Sequence, residues 1–200
     1  MFFFDHVCSY LMYIYFMDLS YIPSVIKQFE YNKSLGDKTF EQLTKEQLFF
    51  TYNKESNSIA TLVKHISGNM LSRWTNFLTE DGEKPWRKRD EEFINTYTSK
   101  EEVIHDWEKG WACLFENLHK ITTENSNTIV YVRNEGHTIA EAINRQLCHY
   151  SYHTGQIVMI GKMIKNNHWQ TLSIAKNASK SYNEEKFAEN KTKKHFIDAL

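Results

Sequence analysis

Residues 136–165, GHTIAEAINRQLCHYSYHTGQIVMIGKMIK, constrain the fold more than any other stretch. Apolar residues recur there at helical spacing: Ile139, Ala142, Ile143, Leu147, Tyr150, Ile157, Ile160, Met163 and Ile164. Thr138 followed by Glu141 is a capping-box start, in which hydroxyl and carboxylate satisfy backbone donors at a helix N-terminus. The pattern predicts one long amphipathic helix that must bury a stripe against other elements. Gly155 and Gly161 weaken it slightly and are places where another helix can approach closely.

His149 and His153 lie four residues apart on this helix, so their rings project from one face, one turn apart. Ala142, Gln156 and Ile160 share the stripe, which directs the histidines to the buried side. Two imidazoles at this spacing are a common way for one helix to hold a transition metal. With nine histidines in 200 residues, the spacing alone leaves two readings. One is a pair of metal ligands, and the other is a pair of core histidines hydrogen-bonded to neighbours.

The rest of the chain is patterned for helices too. Residues 20–35 read as a first helix, with Gly36 as its C-cap. Thr44 and Gln47 form a small capping box. Residues 56–79 read as a second long helix, ended by Asp81-Gly82. The stretch GEKPWRKRDEEF is charged, contains Pro85 and lacks periodicity, so it reads as a solvated loop. Ser99 and Glu102 open a third helix over 100–120, and 129–132 reads as an extended piece or short strand. Trp74, Trp107 and Trp111 read as core or dimer contact. Residues 1–16, MFFFDHVCSYLMYIYF, lack the basic region and cleavage site of a signal peptide and are too short to span a bilayer. They read as an extension ahead of a natural start at Met17. Residues 17–175 then form the domain, and 176–200 a polar tail that packs loosely or is disordered.

A formal charge of −1 leaves no basic field to hold nucleic acid. The three cysteines are widely spaced with no CxxC, which supports neither a zinc knuckle nor a disulfide framework. Reduced thiols place the chain in the cytoplasm. Cys148 is rotated about 100° from His149 on a helix; it reads as core packing, with a reactive thiol as the alternative.

A third ligand would favour the metal reading. His65 in LVKHISGNM shares a helix face with Ser58, Thr61, Asn69 and Ser72, and buried polar groups need partners or a wet cavity. The segments SNSIATLVKHISGNMLSRWTNFLTEDGEKPWR, WEKGWACLF and EGHTIAEAINRQLCHYSYHTGQIVMIGKMI together resemble the DinB/YfiT-like superfamily of metal-dependent proteins, in particular a branch of unassigned function. The resemblance covers most of 19–175. It implies an all-α four-helix bundle, up-down-down-up, that is often a homodimer. It implies a divalent ion, zinc or nickel, held by one histidine of the second helix and the HxxxH pair of the fourth. On this sequence those are His65, His149 and His153.

An ion held by three imidazoles keeps open positions for water or a thiol. The implied function is that of a metal-dependent enzyme acting on a small molecule by thiol transfer or hydrolysis, with a low-molecular-weight thiol as one candidate partner. The alternative is a non-catalytic dimeric bundle with a structural metal or none. No nucleic acid and no membrane are expected as partners. Asn69, Arg145 and Gln156 are candidates for supporting roles around the ion. Arg145 would hold an anionic substrate group or form a salt bridge. His137 reads as a capping or solvent-exposed residue, with acid–base chemistry as the alternative. His105, His119, His168 and His195 have no partner spacing and read as surface.

Overall fold

A computed structural model describes residues 20–198 in full and the backbone of the first helix from Phe2 onward. The reading of residues 1–16 as an extension, and of Cys8 as a free thiol, lies outside the fully described residues. Helix α1 spans Phe2–Glu41. It does not stop at Gly36. That glycine sits inside the helix, and a Cβ there would overlap the indole of Trp107. The glycine therefore admits a neighbouring helix rather than capping its own. Trp107 Nε1 donates to Asp37 Oδ1 at 2.7 Å, fixing the indole across the gap.

Helix α2, Lys45–Phe49, opens with both halves of the Thr44–Gln47 capping box. Helix α3, Ile59–Trp74, is capped by Ser58, whose hydroxyl accepts from Thr61 N–H. It ends at Trp74, before the expected Asp81-Gly82: Thr75 leaves helical geometry (ψ 120°) and Asn76 follows in the left-handed region (φ 52°). The charged stretch after it is not simply solvated. The Gly82 carbonyl is bonded by Ser72 and Arg73, Lys84 and Glu92 are buried, and a 3₁₀ turn covers Arg89–Phe93.

Helix α4, Lys100–Leu118, starts at its Ser99 cap. Strands β1 (Ile129–Val132) and β2 (Glu135–Thr138) form an antiparallel hairpin, pairing Ile129 with Thr138 and Val132 with Glu135. Arg133 and Asn134 both take positive φ at the turn, as a tight two-residue hairpin requires. The turn is pinned by Asp81, whose carboxylate accepts the Arg133 and Asn134 N–H groups. The second strand was not legible as a strand because EGHT has no alternating pattern of its own. Helix α5, Ile139–Lys165, follows directly from the Thr138–Glu141 capping box.

The chain is mostly helical. Helix α3 packs against α4 and α5, and α1 against α5 and α4. Phe29, Trp74, Trp111 and Tyr150, one from each long helix, are fully buried, with Phe29 touching the other three rings. Gly161 of α5 touches α1, where a Cβ would lie 2.7 Å from Thr39 Cγ2. The tail is more organised than its polarity suggested. Helix α6, Ser179–Ala188, buries nothing, yet Asp198 pairs with Lys27, and Phe196 packs edge-on against Tyr31 at 5.1 Å. Among the described residues no helix is long and apolar enough to cross a membrane.

Candidate metal centre

Helix α3 supplies His65 and α5 supplies His149 and His153, and one ring nitrogen from each lies within 4.8 Å of the others. The His149 Nε2 atom is 3.4 Å from Nε2 of His65 and 3.1 Å from Nε2 of His153. Zinc–nitrogen bonds of about 2.0–2.1 Å at tetrahedral angles put ligand nitrogens about 3.3 Å apart. The two spacings from His149 thus suit one shared ion, and the whole set lies within 4.8 Å.

The hydrogen bonds behind the rings make the same point through proton counting. His65 Nδ1 lies 2.9 Å from Glu92 Oε2, and an ionised carboxylate only accepts, so Nδ1 carries a hydrogen, and whenever the ring is neutral its Nε2 is a lone pair. His153 Nδ1 lies 2.8 Å from Gln156 Oε1 and is likewise the donor. His149 Nε2 therefore faces two lone pairs with at most one proton of its own. A cation among the three satisfies all of them.

Burial above all, then the neighbouring His153 and His65 and the more distant Arg87 and Arg73, pushes the His149 imidazole down to about 3. Burial also lowers His153, against the opposing hydrogen bond that it donates to Gln156. Both rings are thereby held in the neutral form that ligates metals.

Sequence reasoning missed the support of His65. Burial would raise the Glu92 carboxyl, but hydrogen bonds from His65 and Arg87 outweigh it and hold the group below the ordinary range. Arg87 grips the carboxylate with two bonds, Nε to Oε1 at 2.8 Å and an NH2 group to Oε2 at 2.9 Å. Phe93, next to Glu92, stacks on the His65 ring with centroids 4.8 Å apart. Gly68 of α3 clears the space, since a Cβ there would stand 2.5 Å from Glu92 Oε1. No local signal marks which charges of the 82–93 stretch turn inward.

The anticipated supporting residues divide. Gln156 lies beside His153. Asn69 is buried in the adjoining layer, accepting from the Tyr150 hydroxyl at 3.0 Å. Arg145 is exposed and lines a small cavity with Arg73, Gly82 and His137, away from any hydrogen bond to the three histidines. His137 is neither cap nor freely exposed: it sits half-buried in β2, its Nε2 enclosed, while Thr138 does the capping. Cys148 is exposed, not core, because the 100° step from His149 turns it to solvent. The remaining members of the α3 polar stripe serve local structure, Ser58 and Thr61 at the cap and Ser72 on the Gly82 carbonyl.

A groove of about 1040 Å³ opens beside His153, lined by Leu62, Tyr152, Gly155, Gln156, Met159 and Ile160 among others. Gln156 thus belongs to both the histidine cluster and the groove wall.

No curated protein and no solved structure matches the chain. A family model described as "Protein of unknown function (DUF1572)" matches residues 17–178, and the chain belongs to that family.

Proposed function

We propose that the chain is a metal-dependent enzyme in which His65, His149 and His153 hold one divalent ion, zinc or nickel. In this reading α1, α3, α4 and α5 are the helices of a DinB/YfiT-like four-helix bundle, up-down-down-up, occupying 17–175 and followed by a polar tail. The reaction is thiol transfer or hydrolysis on a small molecule. The observation that carries the reading is the convergence of three Nε2 atoms, with the Nδ1 atoms of His65 and His153 engaged in hydrogen bonds behind the rings.

When bound, the ion supplies a Lewis acid with positions open to an incoming nucleophile or substrate. The protein's own groups do the rest. Gln156 orients His153, and its side chain reaches the groove wall. Leu62, Met159 and Ile160 offer an apolar surface to the body of a substrate. Tyr152 lines the groove and has its ring 4.9 Å from that of His153.

Elemental analysis of tag-free protein, purified without chelator, tests the assignment. The wild type is expected to carry a near-stoichiometric divalent ion that His65→Ala and His149→Ala both lose. A wild type that holds no metal after soaking with zinc or nickel overturns it. Screens with thiol acceptors and hydrolysable esters and amides then separate the two reaction classes.

A further inference from the structure

We infer that Glu92 and Arg87 are positioning residues: their buried ion pair locks His65 in the Nδ1–H tautomer and so presents its Nε2 lone pair to the metal. The metal half of this inference rests on the three-histidine reading; the tautomer half does not.

Glu92 cannot be a ligand or a base in its own right. Its Oε2 already accepts from His65 Nδ1 and from Arg87, and its Oε1 accepts from Arg87 Nε. The side chain is 8% exposed, and the Gly68 backbone closes over it from α3. It acts through His65 alone. Arg87 is more deeply buried, its side chain 2% exposed, with Glu83 at 3.6 Å as its second anionic neighbour. Glu83, Arg87, Glu92 and His65 thus form a chain of alternating charge and donor ending at the centre. Such outer partners fix the ring orientation and tautomer of metal-binding histidines, and losing one typically weakens metal binding ten- to hundredfold.

The pair matters, and not only the presence of an acceptor at position 92. An amide there has one oxygen. The Arg87 guanidinium offers only donors and would claim that oxygen, leaving the amide NH2 facing His65. His65 Nδ1 would then have to accept, its proton would move to Nε2, and Nε2–H cannot ligate. Glu92→Gln is nearly isosteric yet inverts the donor–acceptor order at His65. Replacing Arg87 by methionine as well frees the amide to turn its oxygen back to His65.

The test has two readouts on wild type, Glu92→Gln, and the double variant Arg87→Met/Glu92→Gln. Long-range ¹H–¹⁵N correlation of the metal-free proteins reports the His65 tautomer. Competition with a chromophoric chelator reports zinc affinity. The expected result is an Nδ1–H tautomer in the wild type, an Nε2–H tautomer with at least tenfold weaker zinc binding in Glu92→Gln, and recovery of most of both in the double variant. A Glu92→Gln protein that keeps the wild-type tautomer and binds zinc within twofold overturns the inference. Weakened binding that the double variant does not recover also overturns it, because a merely structural role would predict further loss. If the wild type binds no zinc, the three-histidine reading fails, while the tautomer measurement still decides the role of the pair.

Discussion

Tyr150 gives its phenolic proton to Asn69 Oδ1 across 3.0 Å. Asn69 stands one turn after His65 on α3, and Tyr150 adjoins His149 on α5, so this bond ties together the two helices that carry the three histidines. The Tyr150 hydroxyl oxygen in turn accepts from Trp74 Nε1 at 3.1 Å, and the tyrosine is completely buried. Tyr150→Phe leaves two buried groups unpaired, at a cost of about 1–3 kcal/mol. Thermal denaturation should show a loss of roughly 2–10 °C at this chain length. An unchanged melting temperature would mean that the bond does not tie the helices.

Metal binding to the native state must stabilise it by mass action. At a free zinc concentration a hundred times the dissociation constant the gain is about 2.7 kcal/mol, or roughly 5–10 °C in Tm. The rise should be seen in the wild type and be absent in His149→Ala. Equal shifts in both proteins would place the zinc elsewhere.

Two glycines of α5 should respond in opposite directions. Nothing lies within 4 Å of a Cβ added at Gly155, so Gly155→Ala should stabilise, by up to about 1 kcal/mol, through helix propensity. At Gly161 the added Cβ meets Thr39, which is fully buried with its hydroxyl bonded to the Leu35 carbonyl at 2.7 Å. Overpacking of this kind costs about 1–3 kcal/mol. Urea denaturation of both variants checks the contrast; the same sign for both would refute it.

Acid should loosen the hairpin through Asp81. Burial pushes this carboxyl up, but the backbone N–H groups of Asn134, Glu83 and Arg133 outweigh it and hold the group below its ordinary value. A carboxyl depressed by folding stabilises fully above its unfolded value, and the contribution is lost as pH falls through the folded value. Stability of the wild type should therefore decline below about pH 4 more steeply than that of Asp81→Asn, which is weaker at neutral pH. Parallel profiles in urea titrations from pH 7 to pH 2.5 would remove Asp81 from this role.

The periodicity of α5 and the i, i+4 spacing of its histidines are local properties. A helix with a stripe to bury and a capping box at Thr138–Glu141 is specified within thirty residues, and the pairing of His149 with His153 follows from helix geometry. The caps at Thr44 and Ser99 were legible for the same reason, because each is a hydrogen bond within one turn, whereas Ser58 read as part of a helix starting at 56 and is that helix's cap.

What the sequence alone determined is therefore the long amphipathic helices α3, α4 and α5, most of the apolar residues they bury, and the histidine pair. Tertiary packing decided the rest. Gly36 looks like a helix end until Trp107 arrives from α4 to occupy the space beside it. His65 becomes a partner of the pair only because α3 lies against α5. Glu92 and Arg87 leave a charged, unpatterned segment for the interior only because each neutralises the other and Gly68 makes room for them. Buried charge is set by partners far apart along the chain, and no spacing rule within a segment can reveal it.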